Sequence, residues 1–200
     1  RDGFRQLSES VPVVVVQSTG DRAFCGGADL QAMQHATPLD ALDLLSQKIF
    51  SEIADSPVVS IAAVHGAAIA GGCELALACD LRVVGPRARF ELPETALGLI
   101  PAAGGCTRLA RLVGQSIARQ VILAGMSISA DQAVAWGLAN GPVHPDPRPA
   151  ALKLAHTVAR RDPVALRMAK QVLGMDGRME SLQAERVAEA VLYGRKTPNG

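Results

Sequence analysis

Hydrophobic and polar positions follow two rhythms along this chain. Val11-Pro12-Val13-Val14-Val15-Val16-Gln17 is a continuously apolar, β-branched run ending at Ser18-Thr19-Gly20, the pattern of a strand covered on both faces. Val58 to Val64 is a second such run, and Leu81-Arg82-Val83-Val84 a third. Between the first two, Leu42, Leu45, Ile49 and Ile53 recur at helical spacing behind Thr37-Pro38, a cap followed by a first-turn proline, and Pro57 closes the segment. Between the second and third, a glycine-rich turn leads into Cys73 to Cys79, which reads as a buried helix. Strand, helix, strand, helix, strand predicts parallel pairing through right-handed crossovers.

After Leu81-Arg82-Val83-Val84 the helical rhythm dominates. Ser129 and Gln132 have capping-box spacing, with Gly137 as the stop. Asp162-Pro163 opens another helix, with Ala165, Met168, Ala169 and Val172 on one face and Gly174 past its end. Ala184, Val187, Ala188 and Val191 repeat the spacing once more. The proline-rich stretch Pro142 to Pro149 therefore divides an α/β core, residues 1–141, from a helical region, residues 142–200.

Composition narrows the function classes. The chain has 200 residues, a formal charge of +1 and 48% hydrophobic residues, enough for a sizeable core and too apolar for disorder. Balanced charge argues against a protein built to hold nucleic acid or an anionic membrane, and six aromatics give little for bases to stack on. Residues 148–200 do carry ten Lys or Arg against five Asp or Glu, which solvated helix faces explain more simply than RNA binding. Cys25, Cys73, Cys79 and Cys106 lack the spacing of a zinc site or a disulfide framework, so no metal is expected and a reducing compartment fits best. With no export signal or membrane-length apolar run, the expected location is cytoplasmic.

Chemistry concentrates around Gly66-Ala67-Ala68-Ile69-Ala70-Gly71-Gly72-Cys73-Glu74. Gly66 and Gly71 have phosphate-loop spacing, but Gly72-Cys73 stands where Lys and Ser or Thr are required. A thiol nucleophile at Cys73, with His65 nearby, is a second reading, and plain packing is its bland alternative. In a third, the Gly71 N–H at the head of a helix stabilises an oxyanion together with a donor from a second loop, Phe24-Cys25-Gly26-Gly27-Ala28-Asp29-Leu30. Glu74 lies one turn beyond Gly71 and is either an acid/base or a residue satisfying the helix dipole. Glu94, in the Pro- and Gly-punctuated segment Phe90 to Pro101, is either a second acid/base or a loop cap. Two carboxylates beside an oxyanion hole are what enolate chemistry requires.

Taken together, Ala23 to Leu30, Ile61 to Gly66 with Gly71 to Asp80, and Pro93-Glu94 through Leu99-Ile100-Pro101 and Gly104-Gly105 resemble the enoyl-CoA hydratase/isomerase (crotonase) family nearly end to end. The resemblance implies an α/β crotonase-like spiral of ββα units followed by a C-terminal helical region that mediates trimer assembly, as a homotrimer or a dimer of trimers. It implies that the Ala28 and Gly71 N–H groups hold the thioester oxygen of an acyl-CoA as it becomes an enolate, with Gly26, Ala28, Asp29 and Leu30 along the CoA path. Glu74 and Glu94 match the pair that activates water and delivers a proton to the α-carbon, so hydration of a trans-2-enoyl-CoA is the expected reaction. CoA arrives as part of the substrate, and no separate cofactor is expected.

Two positions depart from the family pattern. Ala102 replaces a glycine of the substrate-binding segment, where its methyl is expected to crowd the water or acyl group near Glu94, and Cys106-Thr107 replaces the commoner Thr-Gln. A buried structural thiol is the expectation for Cys106. Arg1 to Ser10 resembles the end of the family's first helix, which implies that several tens of residues, with the opening strands, precede it in relatives. The competing readings are a Δ3-Δ2 enoyl-CoA isomerase and a non-catalytic acyl-CoA-binding homologue.

Overall fold

A computed structural model describes residues 2–8, 10–27, 44–175 and 178–196. The chain enters through helix α1 (Asp2–Ser8) and runs into strand β1 (Val13–Gln17). β1 pairs in parallel with β3 (Val59–Val64), and β3 with β5 (Leu81–Val84), so the three apolar runs form one parallel sheet in the order β1-β3-β5. Every residue of the central strand β3 is buried, and its side chains alternate between two cores. Ala62 and Val64 enter the larger core, while Val59, Ile61 and Ala63 face Ala151 and Ala155 of helix α6 (Pro147–Ala159), which lies across all three strands.

A second sheet was not legible in the hydrophobic pattern. β2 (Ala23–Cys25), β4 (Ala67–Ile69) and β6 (Arg89–Glu91) pair in parallel, and β7 (Ile128–Ser129) adds antiparallel to β6. The segment read as a glycine-rich turn after Val64 therefore contains a strand, as does the loop read at Phe24-Cys25. Each chain excursion thus supplies a longer strand to one sheet and a short strand to the other before it enters a helix. Helix α2 (Leu45–Asp55) ends ahead of Pro57 as expected; its expected start at Thr37-Pro38 lies outside the described residues.

Helix α3 (Gly71–Ala78) is almost wholly buried. It is followed, after β6, by a 3-10 turn (Glu94–Leu97) and by α4 (Gly105–Ala124), a long helix broken by non-helical Gly114 that its glycines hid from pattern reading. α5 (Ala130–Ala135) starts with the expected Ser129–Gln132 capping box. Trp136, the only tryptophan, ends it half-buried against the larger core. α7 (Pro163–Leu173), capped by Asp162, packs on α8 (Arg178–Lys196).

α7 is fastened to the sheet by a polar cluster. The Lys170 ammonium donates to Asp80 Oδ2 at 2.7 Å and to the Val58 carbonyl at 2.8 Å, while Ser60 donates its N–H and hydroxyl to the same Asp80 oxygen.

Candidate active site

The site is built where the second sheet hands the chain to α3. Ala70 carries φ 52° and ψ −125°, and among the described residues it is the only non-glycine with positive φ. It turns the backbone sharply out of β4, with its N–H bonded to Glu91 O and its carbonyl accepting from Glu74 N. Gly71 is then the first helical residue, and helix geometry leaves its N–H without an intrahelical acceptor. At the other end of the helix, the buried guanidinium of Arg82 donates to the carbonyls of Ala76, Cys79, Asp80 and Leu138. A cation thus answers the negative end of the helix dipole, while the positive end at Gly71 stays open to an anion. Arg82 escapes pattern reading because it sits in an apolar strand run, although a lone arginine in such a run is itself a signal.

The second glycine loop reaches this helix start. A side chain on Gly72 would collide with the Cys25 carbonyl, so only glycine lets α3 approach the end of β2. A methyl on Gly27 would stand 3.0 Å from Gly71 N, which places the bare Gly27 backbone against the expected donor. Gly26 beside it is exposed and faces open space. Ala28, Asp29 and Leu30 lie outside the described residues, so the structure locates Gly71 of the expected donor pair.

Glu74 is 4% exposed, and its Oε1 accepts two backbone hydrogen bonds, from Ala103 N at 2.7 Å and Gly105 N at 2.9 Å. Burial raises its pKa above the ordinary carboxylate range, against the pull of those N–H groups and of the Arg108 guanidinium. Glu94 opens the 3-10 turn, and its Oε2 is buried with no hydrogen-bond partner. Its pKa is also raised, by burial first and then by the negative charge of Glu74, against a bond from its own backbone N–H. The structure therefore brings the two expected carboxylates into one electrostatic site, one held by two N–H donors of the 102–105 turn and the other with a buried oxygen left unpartnered. The donors Ala103 N and Gly105 N have no side-chain signature, which is why sequence reading missed them.

Other candidates sort differently. Cys73 is 1% exposed, and burial pushes its thiol far above the ordinary range. His65 is buried, with neither ring nitrogen hydrogen-bonded to any described group, so it does not act as a base toward Cys73. Cys106 is exposed rather than buried, contrary to expectation, because it stands on the outer side of the first turn of α4. The pKa of its thiol is nonetheless raised, by partial burial first and then by the charges of Glu74 and Glu94, which places it near the carboxylates. Ala102 is exposed, its φ is not in the left-handed region, and its carbonyl accepts from Gln47 Nε2 at 2.7 Å. Among the described residues no group of His, Cys, Asp and Glu could hold a metal ion, and no helix is long and apolar enough to cross a membrane.

Known proteins resemble this chain in sequence and in fold. The family model described as enoyl-CoA hydratase/isomerase matches residues 2–198. The chain is 38% identical to a short-chain-enoyl-CoA hydratase of Clostridium acetobutylicum, over 82% of this chain and 64% of that protein. It is 39% identical to a crotonyl-CoA hydratase of Syntrophomonas wolfei, over 80% of this chain and 63% of that protein. The chain thus spans a little under two thirds of the length of these relatives. Among solved structures, an enoyl-CoA hydratase from Bacillus anthracis superposes with a TM-score of 0.87 at 31% identity, covering 98% of this chain and 80% of that one. That fold is the crotonase spiral expected from the motifs. Since the family match runs almost from end to end and includes both carboxylates and the helix start they flank, the chain belongs to the enoyl-CoA hydratase/isomerase family.

Proposed function

We propose that this protein adds water across the 2,3 double bond of an enoyl-CoA thioester. The observation that carries this reading is the asymmetry of the carboxylate pair: Glu74 accepts two N–H bonds, while the buried Glu94 Oε2 accepts none and faces the charge of Glu74. Such environments separate two like groups into a base and an acid. Ionised Glu74 takes a proton from water as its oxygen bonds to the β-carbon. The electron pair of the double bond moves onto the thioester oxygen, held by the Gly71 N–H and, by family resemblance, that of Ala28. Protonated Glu94 then delivers its proton to the α-carbon, and exchange through solvent resets the pair. No separate cofactor enters this scheme, and CoA is carried by the substrate.

The reading includes assembly through the C-terminal helices as a homotrimer or a dimer of trimers. It is supported by the apolar side chains that α7 and α8 leave exposed, among them Leu173 at 86%, Val187 and Val191. It also includes a reducing, cytoplasmic setting, which the four unpaired cysteines support.

The test is loss of enoyl-CoA absorbance when the intact protein is mixed with a chain-length panel of trans-2-enoyl-CoA thioesters in labelled water. Label should appear in the product, and Glu74→Gln or Glu94→Gln should each lower kcat at least ~100-fold. A shifted double bond without label would favour isomerisation. Absence of turnover on every member, with CoA still bound, would leave a binding homologue.

A further inference from the structure

The turn that supplies Glu74 with its two donors is held from behind at three successive carbonyls. The peptide between Ala102 and Ala103 gives its N–H to Glu74 and its C=O to Gln47 Nε2 of α2. The peptide between Ala103 and Gly104 gives its C=O to the Arg108 guanidinium at 2.8 Å. The peptide between Gly104 and Gly105 gives its N–H to Glu74 and its C=O to the Arg108 backbone N–H at 2.9 Å. Arg108 lies under the turn, with its guanidinium in the space a side chain on Gly104 would occupy, and its other terminal nitrogen is 3.4 Å from Ser51 Oγ of α2.

From this we infer that Gln47 and Arg108 are positioning residues for the reaction: from α2 and α4 they fix the 102–105 turn so that Ala103 N–H and Gly105 N–H both aim at Glu74 Oε1. A peptide whose carbonyl accepts a hydrogen bond donates a stronger one from its N–H, so the Gln47 contact is passed through the peptide to the carboxylate. The Arg108 charge adds to the same bias. The titratable or charged groups around Glu74 are Arg108 and Cys106 of α4, Glu94 of the 3-10 turn and Cys73 of its own helix.

The inference rests on Glu74 being the base, and the experiment separates the two. Hydration by the intact protein is followed across pH for Gln47→Met, Arg108→Met and Arg108→Lys beside Glu74→Gln. Losing donor bonds to the ionised form raises the pKa of the base, so the acid limb of kcat should move to higher pH in both Met variants. At neutral pH kcat should fall several-fold for Gln47→Met and about tenfold for Arg108→Met, with KM changed less than about twofold. Arg108→Lys, which keeps a cation beneath the turn, should recover most of the loss. If Arg108→Met does not fold, Gln47→Met, at an exposed position, carries the comparison. An unmoved acid limb in the folded Met variants, with Glu74→Gln inactive, overturns the brace alone. Full activity of Glu74→Gln overturns both the brace and the assignment of the base.

Discussion

The carboxylates that define the site work against the stability of the fold. Burial and the Glu74 charge lift the pKa of Glu94 above its unfolded value, so folding favours the protonated form. For a carboxylate with this sign, the stabilising contribution is present below the unfolded pKa and is lost as pH rises through the folded one. Glu94→Gln should therefore raise Tm at about pH 8 and leave it nearly unchanged at about pH 4, a difference that calorimetry at two pH values reads directly. Equal shifts at both would mean that the desolvated charge is not the cause. Glu74 shares the direction but has two N–H donors to offset its burial, and replacing one of its oxygens by an amide also disturbs those bonds. At this scale Ala102 adds a role that its side chain does not announce: the residue is exposed with an unstrained φ, and its carbonyl accepts from Gln47.

Among the elements, α7 shows how a helix far along the chain is tied to the first sheet. The Lys170 ammonium, with an 11% exposed side chain, meets Asp80 at the end of α3 and the Val58 carbonyl just ahead of β3. Lys170→Met would leave Asp80 charged and half-covered with only the Ser60 donors, and should cost about 2 kcal/mol of stability in denaturant titration. Recovery in the double variant with Asp80→Asn would assign the loss to the orphaned charge.

What could be read in advance at this scale follows from length and composition. β1, β3 and β5 announce themselves as β-branched apolar runs, and the capping box and Asp162-Pro163 mark their helices, because those signals are local. β2, β4, β6 and β7 are two or three residues long and exist through their partners, so no periodicity could reveal them. The same split holds in the site. Glu74 and Glu94 stood out as carboxylates in otherwise apolar or glycine-rich segments. The Ala103 and Gly105 donors and the Gln47–Arg108 brace arise only when α2, α3 and α4 meet.

For the whole molecule, the two faces of the parallel sheet are closed differently. One face carries the larger core, with α3 and most of the site, and the other is closed by α6 over Val59, Ile61, Ala63 and Val83. Beyond α6, α7 and α8 pack on each other and leave Leu173, Val187 and Val191 exposed, more apolar surface than a pair of helices holds comfortably in water. If these helices form the assembly surface, Val187→Glu with Val191→Glu should lower the mass found by sedimentation and leave monomer circular dichroism unchanged. An unaltered mass would place assembly elsewhere.

The positions of the single tryptophan and the single tyrosine give the molecule two built-in optical reporters. Trp136 rests against the larger core, and Tyr193 stands two-thirds exposed on α8. Emission excited selectively in the indole should red-shift only when the main core opens in denaturant. If the C-terminal helices carry the proposed assembly, the phenol signal should instead respond to dilution while the indole stays silent.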